Sequence, residues 1–111
     1  MKIITKAIET AFAKQGDTSE KQMQDILIVM KLFNPCGAQT WYLYEKLDND
    51  TYMCFADFGD PECAECGTVS MSELLGFRGR FGLGIERDKF FEPLSMTLGE
   101  VYNTIKAGGH I

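Results

Sequence analysis

The chain has 111 residues, a formal net charge of −5 and 45% hydrophobic residues. This length suits one domain with a single core, so we expect residues 1–111 to form a single domain. The hydrophobic content excludes a disordered chain, and no apolar run approaches the length needed to span a bilayer. The N-terminal residues do not form the pattern of a signal peptide, since their apolar pieces are short. We therefore expect a cytoplasmic protein, in which the four cysteines bind metal in preference to forming disulfides.

An amphipathic helix is predicted over residues 2–14, because its apolar residues recur at helical spacing and Gly16 can end it. Residues 17–21 form a polar loop. The next apolar segment, residues 24–33, is compatible with a buried helix or a strand. A strand is favoured because β-branched residues are dense in it and Asn34-Pro35 stops it.

A β-hairpin is predicted next, with arms over residues 40–47 and 51–58. Aromatic and β-branched residues fill both arms, and the Asp/Asn cluster between them is typical of a turn. A turn centred near residue 49 or 50 places Cys36 opposite residue 62 or 63. The hairpin therefore predicts that the thiols of Cys36, Cys63 and Cys66 converge at its base.

These three thiols predict a structural zinc site. Zinc prefers about four soft or borderline ligands in a tetrahedron, and the two residues between Cys63 and Cys66 let one tight turn supply two thiolates. The same register pairs Cys54 with residue 44 or 45, about 25 Å along the strand from the site, which disfavours Cys54 as the fourth ligand. The fourth ligand stays open; the candidates are Cys54, Asp57, Asp60, Glu62, Glu65, His110 and a water.

The same residues allow two alternatives to zinc. One is a reduced CxxC pair with buried thiols and no metal. The other is a redox-active CxxC, which is disfavoured because such a motif opens a helix, whereas Gly67 with Thr68-Val69 indicates a strand.

The residues after Cys66 predict a strand at 68–69 and then a short helix. Ser70 and Glu73 have the spacing of a capping box for this helix, which ends near Gly76. A glycine-rich loop over residues 77–84 follows.

A last strand is predicted over residues 85–91, in which Glu86-Arg87-Asp88 can form local ion pairs. Thr97 and Glu100 form a capping box for the final helix, which Gly108-Gly109 ends. The predicted fold is α+β, a small antiparallel sheet with an N-terminal and a C-terminal helix and a zinc-stapled hairpin base.

Negative charge is concentrated between Leu47 and Phe77. This segment has no Lys or Arg, and its seven acids are Asp48, Asp50, Asp57, Asp60, Glu62, Glu65 and Glu73. Such a strip repels phosphate backbones and attracts basic surfaces. We therefore expect no direct binding of nucleic acid and no membrane binding, but binding to a protein with a basic, nucleic-acid-binding surface. The alternative is a solvated acidic face that aids solubility.

Specific residues are predicted to make this protein contact. The acids are Asp57, Asp60 and Glu62, and exposed tyrosines of the hairpin, Tyr42 and Tyr44 with Tyr52 as a further candidate, are predicted to act as anchors. The alternative for the tyrosines is that one face of the hairpin packs on a helix.

Three segments carry a resemblance to a known family. They are Phe33-Asn34-Pro35-Cys36-Gly37-Ala38-Gln39-Thr40-Trp41-Tyr42, then Gly67-Thr68-Val69-Ser70-Met71-Ser72-Glu73-Leu74, then Arg78-Gly79, Gly82-Leu83 and Ile85-Glu86-Arg87-Asp88. In this order they resemble an uncharacterised domain-of-unknown-function family of bacteria, plasmids and phages, whose members carry PxxxxTWY, PELGxVSLxEL and RGxxGLxIERD. The resemblance covers residues 26–92. The family's Pro-Glu-Leu-Gly region is expanded here to residues 61–67, so a zinc site with Cys63 and Cys66 would belong to this branch rather than to the family.

The resemblance implies a setting in mobile genetic elements and no established reaction. By setting, size and charge the chain is similar to phage-borne anti-CRISPR proteins, including small ones directed at Cas9-type nucleases. We expect a non-enzymatic protein that binds such a nuclease and blocks its action on DNA. One alternative is a plasmid or phage maintenance factor that binds another host protein.

The other alternative is an enzyme that depends on zinc or on thiols. It is disfavoured because a catalytic zinc needs an open position and a nearby base, and the single histidine, His110, lies in a tail that we expect to fray. Ser70 and Ser72 have no histidine in the body of the chain to activate them.

Overall fold

The computed structural model describes residues 3–111, which form an antiparallel sheet with helices on both faces. The α-helices are α1 (Lys6–Gln15), α2 (Met71–Gly76) and α3 (Leu98–Lys106). The strands are β1 (Met30–Phe33), β2 (Thr40–Lys46), β3 (Thr51–Asp57), β4 (Glu65–Ser70) and β5 (Glu86–Arg87). Their order in the sheet is β4-β3-β2-β1-β5, and each neighbouring pair is antiparallel. The predicted α+β class and antiparallel sheet are confirmed.

Helix α1 begins later than predicted, at Lys6. Thr5 has extended backbone angles and its hydroxyl accepts a hydrogen bond from the Ile8 N–H, so it caps the helix and residues 3–5 precede it. The predicted start at residue 2 lies outside the described residues. The end is as predicted, because Gly16 takes a φ of 65° and its N–H donates to the Phe12 carbonyl.

The strand predicted over residues 24–33 is confirmed for β1 alone. A 3₁₀ turn, Met23–Asp25, comes first. The extended residues that follow bond to the segment before α3: Leu27 forms an isolated bridge with Thr97, and the Ile28 N–H donates to the Met96 carbonyl at 2.8 Å. The chain is thus extended over most of the segment, but it pairs with two different partners.

The hairpin arms, β2 and β3, match the predicted arms to within one residue at each end. The predicted register is wrong at Cys54, which pairs with Leu43 and not with residue 44 or 45. Glu45 pairs with Met53, so Tyr44 is an extra residue in β2. This β-bulge shifts every pair between it and the base of the hairpin by one residue.

Strand β4 is longer than the predicted residues 68–69, since it begins at Glu65 and pairs with β3 along its whole length. Strand β5 is shorter than the predicted residues 85–91. Its partner β1 has only four residues, and the chain turns after Asp88, whose carboxylate accepts from the Phe90 N–H at 2.9 Å. The same carboxylate lies 3.5 Å from the Lys31 ammonium group, so the ion pair crosses between strands and is not local to residues 86–88.

The predicted N-cap residues of the last two helices are confirmed, but of the two predicted capping boxes only that of α3 is complete. Ser70 caps α2 by accepting from the Glu73 N–H, and Thr97 with Glu100 forms a complete capping box at the start of α3. No helix in residues 3–111 is long and apolar enough to cross a membrane.

The sheet carries an apolar core on each face. On the first face α1 and α2 pack over a core of twelve buried residues: Ile8, Ala11, Phe12, Val29, Met30, Leu32, Trp41, Leu43, Tyr52, Cys54, Met71 and Ile85. On the second face α3 packs over a core of nine: Ile26, Ile28, Tyr42, Tyr44, Phe55, Ala64, Leu98, Val101 and Ile105. Burial on both faces explains why the strands are almost continuously apolar.

Candidate functional site

The two turns that carry the predicted zinc ligands lie side by side at one end of the sheet. A Cβ atom added to Gly59 would lie 3.0 Å from the Ala38 Cβ, so the β1–β2 turn contacts the β3–β4 connection. The thiol of Cys36, however, points toward the loop after α2, with its sulfur 3.7 Å from the Arg80 carbonyl oxygen. The thiol of Cys63 donates to the Asp60 carboxylate at 3.4 Å.

Cys66 lies within β4, whereas Cys63 lies in the connection before that strand. Cys66 pairs with Phe55, whose side chain belongs to the second core, and it accepts a hydrogen bond from the Tyr44 hydroxyl. In the part of the chain that the structure describes, no three His, Cys, Asp or Glu side chains are grouped to hold a metal ion. The zinc site therefore stays a prediction.

The sequence placed Cys54 about 25 Å from the other three thiols. This prediction is wrong for Cys66. Because β4 returns along β3, Cys54 pairs with Gly67 and lies next to Cys66 in the sheet. Paired residues share a face of the sheet, and successive residues of a strand point to opposite faces. Cys54 pairs with the neighbour of Cys66, so the two thiols point to opposite faces. Cys54 is buried in the first core, where desolvation raises the pKa of its thiol to about 12.

The pKa values of both CxxC thiols are raised. For Cys63 the largest cause is the hydrogen bond to the Asp60 carboxylate, and for Cys66 it is desolvation, partly opposed by the Tyr44 hydrogen bond. A redox or nucleophilic cysteine needs the opposite shift, because the thiolate is the reactive form.

Six of the seven acids of the strip form two groups at opposite ends of β3, and the seventh, Glu73, lies on α2. Asp48 and Asp50 lie at the hairpin turn, where both carboxylates accept hydrogen bonds. The group at the hairpin base includes the three predicted partner-binding acids, of which Asp60 and Glu62 are exposed and Asp57 is half-buried. A strand of this length separates the two groups by about 20 Å.

The three tyrosines predicted as exposed anchors are buried, so that expectation is wrong. Tyr42, Tyr44 and Tyr52 are 2%, 4% and 2% exposed. Tyr52 packs against Phe12 of α1, with ring centroids 5.2 Å apart, while the other two face α3. Helices cover both faces of the hairpin, so these side chains stabilise the fold and cannot reach a partner.

An apolar groove of about 520 Å³, which the sequence reasoning missed, lies beside the acids of the hairpin base. We call it the Trp41 groove. Its apolar walls are Trp41, Phe58, Val69, Leu74, Phe77 and Ile85, and its polar lining is Asn34, Gln39, Thr68, Ser70 and Glu73. Nine of these residues come from the three sequence segments that carry the family resemblance, and the other two are Phe58 and Phe77. The sequence signal that marks it is a pair of aromatic residues, Phe58 and Phe77, that directly follow β3 and α2.

A smaller groove of about 220 Å³ continues the Trp41 groove along β4. The two share Trp41, Phe58, Thr68 and Val69, and the smaller one is also lined by Cys54, Ala56, Cys63, Glu65, Cys66 and Gly67. Trp41 and Phe58 contact edge to face, with centroids 5.8 Å apart. A third groove, of about 550 Å³, lies near β5 and contains the Lys31–Asp88 ion pair.

No curated protein and no solved structure matches the chain. One family model does match it, over residues 3–111, and so extends well beyond the residues 26–92 that carry the sequence resemblance. The chain therefore belongs to the family described as protein of unknown function (DUF2958).

Proposed function

We propose that this protein is a non-enzymatic binding protein whose acidic hairpin base contacts a basic, nucleic-acid-binding surface of another protein. The observation that carries the proposal is the acidic group at residues 57–62, with Asp60 and Glu62 exposed, in a segment without Lys or Arg. Such a surface presents to a protein partner the charge that a nucleic-acid backbone would present.

Hydrogen bonds to the backbone hold this acidic group in place. The Asp57 carboxylate accepts from the Gly59 N–H at 2.9 Å, and the Asp60 carboxylate accepts from the Glu62 N–H at 3.0 Å. A turn fixed in this way loses little conformational freedom on binding, which favours affinity.

At a finer level, we propose that the partner is a Cas9-type nuclease and that the protein is an anti-CRISPR inhibitor. The support is the combination of small size, net charge of −5 and a family resemblance that implies mobile elements. Bound acids would occupy a channel that otherwise receives the phosphates of DNA.

We further propose that zinc joins the two turns at the hairpin base through Cys36, Cys63 and Cys66. The contact between Ala38 and Gly59, which brings the two turns together, supports this proposal. Thiolates at CxxC spacing are the ligands that structural zinc prefers. The side chains of Cys36 and Cys66 would have to turn toward Cys63 for the three to share one ion.

The proposed function is tested by target-DNA cleavage with a panel of CRISPR nucleases and increasing amounts of the protein. We expect inhibition of at least one Cas9-type nuclease, weakening as salt shortens the Debye length below about 8 Å. The variant Asp57→Asn/Asp60→Asn/Glu62→Gln keeps hydrogen-bond acceptors in the turn and removes its charge, so it should inhibit less. The matched control, Glu9→Gln/Glu20→Gln/Glu92→Gln, removes three exposed acids elsewhere and should inhibit like the wild type.

Undiminished cleavage across the panel at large molar excess would remove the nuclease as the partner. A pull-down from host lysate would then ask whether another basic protein, such as a replication or transfer protein, is captured in a way that the same charge-removing variant abolishes. Equal behaviour of the two triple variants in both assays would reject the acidic surface itself.

A further inference from the structure

We infer that the Trp41 groove is a docking site for a partner segment that carries a large apolar side chain next to Lys or Arg. The inference rests on the proposed function, since it names how the same partner would be anchored beside the acidic hairpin base. It rests on three independent features of the groove: its apolar walls, the sign of its charges and its position on the sheet.

The walls expose apolar surface that the chain itself does not cover. Phe58 is 56% exposed and Phe77 is 42% exposed, although both flank the buried Trp41. On this face of the sheet, α1 contacts β2 and α2 follows β4, and the groove opens where their cover ends. Covering exposed aromatic surface gains roughly 25 cal/mol per Å², and aromatic-walled pockets of this kind receive the anchor residues of protein interfaces.

The charges at the groove select a cationic segment. In residues 3–111, the charged side chains that line the groove and its continuation are Glu73 and Glu65, both acidic. Asn34 donates to Gln39 at 3.0 Å, so these two amides bond to each other. An occupant therefore meets an apolar floor with carboxylates at its rim, which complements an apolar side chain flanked by basic ones.

The same charges disfavour nucleic acid, anionic lipids and a second copy of this chain as occupants of the groove. Phosphates of nucleic acid and of anionic lipids would be repelled by Glu65 and Glu73 and by the acids at residues 57–62. A second copy of the chain, also of net charge −5, would bring its own acids toward them. A basic protein segment is the occupant that the charges favour.

The experiment uses Trp41, the single tryptophan of the chain, as a reporter inside the groove. The emission of the full-length protein is titrated with the peptide Lys-Arg-Phe-Arg-Lys, with Lys-Arg-Ala-Arg-Lys and with Glu-Asp-Phe-Asp-Glu. We expect a saturable change with the first peptide and at least a tenfold weaker response to each of the others. Equal responses to all three peptides, or none, would overturn the inference.

Two variants test the groove by opposite means. Val69→Phe enlarges a half-buried wall side chain on the same face of the sheet as Trp41 and fills the groove, whereas Phe77→Ser removes part of its wall. We expect either change to weaken binding of Lys-Arg-Phe-Arg-Lys at least tenfold. The matched control is Phe90→Ser, which removes a 91% exposed phenylalanine outside the groove and should change nothing. Equal weakening by Phe90→Ser would overturn the inference, because it would show binding to exposed aromatics in general.

The cleavage assay separates failure of this inference from failure of the proposed function. If the charge-removing variant loses inhibition and Val69→Phe keeps it, the acidic surface acts without the groove and the inference is wrong. If peptide binding shows the expected pattern and no nuclease is inhibited, the groove is supported and the nuclease is not the partner.

Discussion

Gln15 is the buried polar residue that joins α1 to the sheet. Its amide nitrogen donates to the Tyr44 carbonyl at 3.0 Å and to the Leu27 carbonyl, and its amide oxygen accepts from the Leu27 N–H at 3.3 Å. The pairing of β1 with β2 ends at Leu43, so β1 supplies no hydrogen bond to the Tyr44 carbonyl. One side chain thus completes the hydrogen bonding of the bulge and of the extended segment before β1.

Replacing Gln15 with Leu should destabilise the protein strongly. The change would leave three backbone groups without their partners, the N–H and carbonyl of half-buried Leu27 and the carbonyl of buried Tyr44. A buried group left unpaired typically costs about 1–3 kcal/mol, and the Leu27 groups cost less because water can reach them, so we expect a total loss of about 2–4 kcal/mol. Urea unfolding measures this loss directly. The same substitution at exposed Gln22 is the control, and equal midpoints for the two variants would show that the Gln15 bonds contribute little.

At the scale of elements, the hairpin turn caps helix α2. The Asp50 carboxylate accepts from the Ser72 N–H at 2.7 Å and from the hydroxyls of Ser70 and Ser72, and the Asp50 carbonyl accepts from the Met71 N–H. Ser70 is the local N-cap, but Asp50, about twenty residues away in the chain, satisfies two further N-terminal donors. The negative charge of Asp50 also interacts favourably with the positive end of the helix dipole.

These hydrogen bonds, chiefly those from Ser70 and Ser72, lower the pKa of Asp50 below its ordinary value of 3.8. A lowered folded-state pKa means that the carboxylate stabilises the fold above pH 3.8, and that this contribution is lost as pH falls through the folded-state value. We therefore expect Asp50→Asn to lower the Tm at pH 7 and the difference from wild type to shrink below about pH 4. Thermal unfolding between pH 7 and pH 3 measures it, with exposed Glu20→Gln as the control. A difference that stays constant with pH would mean that the charge of Asp50 is not involved.

At the scale of the whole molecule, the features on which the proposals rest gather at one end of the sheet. The β1–β2 turn, the β3–β4 connection and the loop after α2 meet there. They carry Cys36, Cys63 and the base acids and border the Trp41 groove, and exposed Cys66 lies near the start of β4. The opposite end is stabilised by the Asp50 cap and by Gln15. Both cores lie between, so changes at the functional end should leave most of the fold intact.

If zinc joins these turns, purified protein should carry about one zinc ion per chain, and a chelator should lower its Tm. Structural zinc supplies on the order of 10 kcal/mol in small peptides, so its loss should be visible even in a domain with two cores. Cys36→Ser, Cys63→Ser and Cys66→Ser should each lower the zinc content measured by elemental analysis. Cys54→Ser is the control, because its thiol lies in the first core. Metal at background level in chelator-free preparations would reject the site, and equal loss in Cys54→Ser would make Cys54 a ligand.

The elements that depend on short-range sequence patterns could be predicted from the sequence. The arms of the hairpin follow from β-branched and aromatic residues on either side of an Asp/Asn turn, and the starts of α2 and α3 follow from Ser70 and Thr97. An N-cap acts within one helical turn, and a tight turn within four residues, so neither depends on what packs against it. The charge strip is likewise a property of the sequence alone.

The tertiary structure alone decided the register, the burial and the site. The bulge at Tyr44 depends on Gln15 reaching its carbonyl, and the neighbour of Cys54 depends on β4 returning along β3. The tyrosines were predicted to be exposed because aromatic residues on a hairpin can belong to a core or to an interface. Only the placement of α1 and α3 over opposite faces of the sheet decides between the two. The Trp41 groove exists because helical cover stops short of one end of the sheet, and no local pattern encodes where that cover stops.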